Sequence, residues 1–106
     1  MSGDDRGDTS RASLDTYRPT MPEISRFFGI VIRMHFDDHR PPHFHAQYGE
    51  FEIEVAIGSL EVIEGKLPSR ALGLAIEWAA QHKEELAEDW ELASNRQRLR
   101  KIAPLG

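Results

Sequence analysis

Gly29 to Glu50 reads GIVIRMHFDDHRPPHFHAQYGE, and the way its two alternating halves face each other decides the fold. In the first half Ile30, Ile32, Met34 and Phe36 fall on one side of an extended chain, with Val31, Arg33 and His35 on the other. This is the period of two that marks a half-buried strand. HFHAQY repeats the pattern, with Phe44, Ala46 and Tyr48 alternating with His43, His45 and Gln47. Between the halves, Asp37 to Pro42 reads as a turn, because two prolines remove N–H donors and restrict the residues before them. Paired through that turn, the halves place Phe36, Phe44 and Tyr48 on a core face and Arg33, His35, His43, His45 and Gln47 on an opposite, exposed face.

Outward from the hairpin the alternation continues. Gly49-Glu50 permits a second turn, and FEIEVAI follows with Phe51, Ile53, Val55 and Ile57 apolar and Glu52 and Glu54 polar. Gly58-Ser59 fits a two-residue loop of the primed type, and LEVIEG supplies a further strand with Leu60 and Val62 inward. After Leu67-Pro68 the period becomes helical. Ser69 is the expected cap, and Leu72, Ala75, Ile76, Ala79, Leu86, Trp90 and Ala93 form an apolar stripe running to about Asn95. The stripe is interrupted around His82 and Lys83, so the span is either one long helix or two with a bend near His82; one helix, bent or straight, is the expectation. Leu99 to Ile102 is extended in character and offers a terminal strand. The fold class is therefore α+β: an antiparallel meander of four to five strands with one long helix packed on one face.

Upstream, residues 1–20 contain only Leu14 and Tyr17 as large apolar groups. Such a segment cannot bury enough surface to offset its ordering entropy, so a disordered tail is expected, with Met21-Pro22 opening a single domain over residues 21–106. A chain of 106 residues with 40% hydrophobic content has room for one modest core. Its formal net charge of -5 excludes an overall basic field of the kind that drives non-specific nucleic-acid binding. Without cysteine there is neither a disulfide nor a thiolate metal site, so any divalent metal needs His, Asp or Glu ligands. No apolar run reaches the roughly 18 residues that span a bilayer, and the start has no apolar export segment. A soluble, cytoplasmic protein is the expectation.

Four of the five histidines lie between positions 35 and 45. His43 and His45, at i and i+2 on a strand, point the same way, as two ligands of one divalent metal do; His39 and Asp38 in the turn complete a candidate set. A second reading is acid–base chemistry by His35, His43 and His45 beside the cation Arg33: one imidazole takes a 2′-hydroxyl proton, another protonates the leaving oxygen, and the cation holds the phosphate. A third is a rigid hydrogen-bonded hairpin that serves as a protein-binding edge. Glu52, Glu54 and Glu61 share the face of Arg33 and suit cross-strand ion pairs. Trp78 and Trp90 suit core or interface anchors. Arg96, Arg98, Arg100 and Lys101 form a basic run that could meet nucleic acid or an acidic partner.

The start at Met21-Pro22, the Phe28-Gly29-Ile30 step, Asp38-His39, Pro41-Pro42-His43-Phe44-His45 and Tyr48-Gly49-Glu50 together resemble a bacterial family, domain of unknown function 4160. Gly65-Lys66-Leu67-Pro68, Trp78, His82, Glu85-Leu86 and Trp90 extend the resemblance to residue 105 or so. The resemblance implies one half of a two-gene, toxin–antitoxin-like module, acting on a small protein encoded by the neighbouring gene. It carries over no catalytic residue. The alternatives are a histidine-dependent ribonuclease or metal-dependent hydrolase, and a nucleic-acid-binding autoregulator; a second copy of the chain, RNA and DNA remain candidate partners.

Overall fold

The computed structural model describes residues 21–36 and 41–106, which places the expected tail, residues 1–20, outside the described residues. Five strands form one antiparallel meander in the order β1-β2-β3-β4-β5: β1 Glu23–Phe27, β2 Ile30–Arg33, β3 His43–Tyr48, β4 Phe51–Ala56 and β5 Val62–Lys66. Two helices follow, α1 Ser69–Gln81 and α2 Lys83–Ser94. None of the described helices is long and apolar enough to cross a membrane.

The central hairpin folds as its alternation predicts. Val31 lies opposite Gln47 and Arg33 opposite His45, while Ile30, Ile32, Met34, Phe44 and Ala46 are fully buried. Strand β1 is absent from the sequence reading because EISRF does not alternate: a bulge between Glu23 and Ser25 shifts the register, and Ile24 and Ser25 are both buried. Phe28 and Gly29, at φ 48 and 82, make the two-residue primed turn that joins β1 to β2. A phenylalanine in the left-handed region hides that turn from a composition search.

Four local expectations are corrected. The β4–β5 connection is longer than two residues: Leu60, at φ 63, donates its N–H to the Ala56 carbonyl at 2.8 Å, and Ala56 donates to the Glu61 carbonyl at 2.9 Å. Strand β5 consequently starts at Val62, which is exposed rather than inward. Ser69 lies inside α1; Pro68 is the capping residue and supplies no side-chain bond. The long helix is two helices broken at His82 (φ -126, ψ 29), whose Nδ1 lies 2.5 Å from Glu85 Oε1. A continuous helix of that length would extend about 39 Å, roughly twice a six-residue strand, so a break keeps Leu86 and Ala93 within the core. Glu84 and Glu85 in the first turn of α2 favour a new helix start there, complementing its positive amino end.

Trp78 on α1 sits against Phe27 and Phe44 with ring centroids 5.4 and 5.9 Å away, which docks the helix layer on the sheet. Leu99 to Ile102 is not a strand but makes one ladder-like bond, from Ile102 N–H to the Ile24 carbonyl at 2.8 Å, on the outer edge of β1. Two further bonds hold this segment: Trp78 Nε1–H to the Ala103 carbonyl at 2.8 Å, and Arg100 N–H to Asp89 Oδ1 at 2.9 Å. Tyr48 and Phe51, both assigned to the core face, are about 40% exposed because they face each other at the end of the sheet.

Candidate functional site

The β3–β4 register builds the histidine face. Tyr48 pairs with Phe51, so Gln47 lies opposite Glu52 and His45 opposite Glu54. Imidazoles of β3 are thereby set beside carboxylates of β4. His45 Nδ1 donates to Glu52 Oε2 at 2.8 Å, and His43 Nδ1 donates to the Pro41 carbonyl at 2.8 Å. Both acceptors are oxygens without protons, so each bond requires the proton on Nδ1, and in the neutral ring Nε2 carries the lone pair. Arg33 donates from Nε to Gln47 Oε1 at 2.9 Å and from Nη1 to the Met21 carbonyl at 3.2 Å. Gln47 Nε2 reaches Glu52 Oε1 at 3.5 Å, closing a chain from Arg33 to His45.

The face is not open as the strand alternation suggests. His43 is 1% and His45 4% exposed, because Trp90 of α2 lies 5.3 Å from the His43 ring and the imidazoles pack against one another at steep angles. The His45 ring is 4.8 Å from His35, edge to face, and 5.2 Å from His43. His45 Nε2 is buried and has no hydrogen-bond partner among the described residues. A buried acceptor left so costs about 1–3 kcal/mol. The arrangement can accept a hydrogen-bond donor or a cation at that nitrogen, with Glu52 fixing the tautomer.

His35, His43, His45 and Arg33 are thus brought together. His39 and Asp38, the turn members of the candidate metal set, lie outside the described residues. Among the described residues no three His, Asp or Glu side chains are placed to hold a metal ion. His43 Nε2 and Glu54 Oε1 stand 3.9 Å apart. The basic run does not form one patch. Arg96 terminates α2 at φ 56, Arg98 and Lys101 line one cleft, and Arg100 lies in another groove with Glu88, Glu91 and Leu92.

Two carboxylates escape the sequence reading, one on the histidine face and one apart from it on α2. Glu52, expected to pair with Arg33, instead orients His45; register counted from a two-residue Gly49-Glu50 turn puts Glu52 opposite Gln47, and the bond to His45 runs diagonally to the next residue on that face. Asp89 is buried, and its burial pushes the carboxyl pKa up against the opposing Arg100 N–H bond, while Oδ2 has no partner among the described residues. Helical spacing places Asp89 on the inward stripe with Leu86 and Ala93, a signal its polarity conceals.

Set against known families, residues 29–91 match the family described as Domain of unknown function (DUF4160). No curated protein and no solved structure matches the chain.

Proposed function

The chain belongs to the DUF4160 family, and on that footing we propose that it is one component of a two-gene, toxin–antitoxin-like module, acting by binding the small protein encoded beside it. The observation that supports this is strand β5. Ile102 covers part of the β1 edge, whereas β5 ends the sheet among the described strands and all five of its residues are exposed. Val62 and Ile63 are 41% and 45% exposed and, as successive strand residues, put apolar surface on both faces of that edge. An extended segment of the partner added there would gain main-chain hydrogen bonds for affinity and the two side chains for register.

Coexpression with the neighbouring gene product tests the proposal. The wild type is expected to copurify as a stoichiometric complex, and a Val62→Lys, Ile63→Lys variant is expected to fold normally while losing about tenfold or more in affinity. Equal capture of the neighbour by both forms, or none by the wild type, would remove β5 as the contact.

A second reading is favoured by one specific observation, the unpartnered Nε2 of His45, whose Nδ1 is held by the Glu52 carboxylate. In this reading the histidine face acts as a general acid–base centre on a phosphodiester, or takes a divalent metal as a hydrolase would. Expression of the wild type should then cleave RNA in cells or with purified substrate. His45→Ala should slow that cleavage by about 10²–10⁴-fold. Unchanged cleavage in the His43→Ala, His45→Ala pair would end this reading, and activity that disappears with chelation would select its metal form.

A further inference from the structure

A separate feature lies where the start of β1 meets the segment after α2. Pro22, Glu23, Phe36, Arg98, Leu99 and Lys101 line a cleft of about 490 Å³. That volume lies within the roughly 300–1,000 Å³ of sites for small organic ligands. Its walls divide by chemistry: Pro22, Phe36 and Leu99 are apolar, and Arg98 and Lys101 bring two cations three residues apart in sequence.

The cleft is held in shape from several elements. Bonds from Ile102 to Ile24 and from Arg100 to Asp89 fix the chain on either side of Lys101, and Ile102 itself is buried. Phe36 packs against the core while remaining half-buried. The one carboxylate in the lining is already engaged: Arg26 grips Glu23 through two bonds, at 2.8 and 3.1 Å, and this pairing lowers the Glu23 pKa. Neither Arg98 nor Lys101 has an ion-pair partner among the described residues. Lys101 acts on the Glu23 carboxylate only at longer range than Arg26 does, so the described lining sets two cations against one carboxylate already gripped by Arg26, next to an aromatic ring and two aliphatic walls.

We infer that this cleft binds the phosphomonoester end of a nucleotide, its phosphate on Arg98 and Lys101 and its base against Phe36, Pro22 and Leu99. A phosphomonoester carries close to two negative charges at neutral pH, matching two cations, and an arginine fork suits its oxygens. The flat face of a base stacks on an aromatic ring regardless of sequence. The same chemistry is offered by a free mononucleotide and by a phosphorylated RNA end. The inference does not depend on either reading of the histidine face or of β5.

Calorimetric titration of the full chain with 5′-AMP, adenosine, inorganic phosphate and a short oligoribonucleotide, with and without a 5′-phosphate, tests it. Saturable binding of 5′-AMP or of the phosphorylated oligonucleotide is expected with Kd below about 1 mM. Adenosine and inorganic phosphate, each lacking one half of the recognition, are expected to bind at least about tenfold more weakly. An Arg98→Ala, Lys101→Ala variant changes only exposed side chains and should lose about tenfold or more, whereas Arg100→Ala, in the other groove, should not. Tighter binding of the phosphorylated oligonucleotide than of 5′-AMP identifies an RNA end as the ligand; equal affinity identifies the free nucleotide. No saturable binding to the folded wild type, indifference to the 5′-phosphate, or an unaffected double variant overturns the inference.

Discussion

Replacing Trp78 with alanine is expected to remove about 3–5 kcal/mol of stability, the cost of deleting a large aromatic side chain from a packed core. Trp78 has no exposed surface and meets Phe27 and Phe44 of the sheet and His82 at the break between the helices. Its indole N–H also ties the Ala103 carbonyl, so the loss reaches the segment that closes the β1 edge. A small domain has only about 5–10 kcal/mol in total, so the variant should be partly unfolded at physiological temperature. Trp78→Phe keeps most of the ring contact and removes the hydrogen bond, with an expected cost of about 1–2 kcal/mol. Urea denaturation followed by circular dichroism measures both. A Trp78→Ala protein with a wild-type midpoint would show that this ring does not couple the helices to the sheet.

Gly65→Ala should be almost as damaging, by about 3 kcal/mol, for a different reason. Gly65 stands at φ 84, and a Cβ there would lie 2.1 Å from the Glu52 carbonyl oxygen, which belongs to the backbone and cannot rotate away. The chain must either detach β5 from β4 or strain the strand that carries Glu52. Gly58→Ala is the matched control, since nothing lies within 4 Å of a Cβ at that position, and its effect should stay within about 0.5 kcal/mol. Hydrogen exchange along β5 distinguishes the two responses: detachment leaves Val62 to Lys66 unprotected, while uniform destabilisation lowers protection throughout. Equal stability of Gly65→Ala and wild type would contradict the close approach of the two strands.

How far the sequence disclosed this molecule depended on whether each element had a local signature. Strands β2, β3 and β4 alternate cleanly, and their side-chain period alone sorted Ile32 from Arg33 and Phe44 from His45. Strand β1 has a bulge where alternation should be, and its turn uses Phe28, a residue type with no preference for positive φ. At the helix break the apolar stripe pauses around His82 and Lys83 but resumes in phase at Leu86, so the sequence marked the place of a bend without deciding between one helix and two. The histidine face was legible as a direction and not as an environment. Which side His43 and His45 take follows from strand geometry, but the presence of Trp90 over His43 depends on a helix about 45 residues downstream in the chain. The phosphate cleft joins residues 22 and 101, and no local pattern announces such a junction.

The bonds from Ile102, Ala103 and Arg100 also impose an order on biosynthesis. Every strand and both helices leave the ribosome before the segment that ties β1 to Trp78 and Asp89. Until that segment arrives, the nascent sheet presents two open borders instead of one, each able to pair with another chain. A chain shortened just after α2 is therefore expected to be adhesive at its first strand as well as at β5.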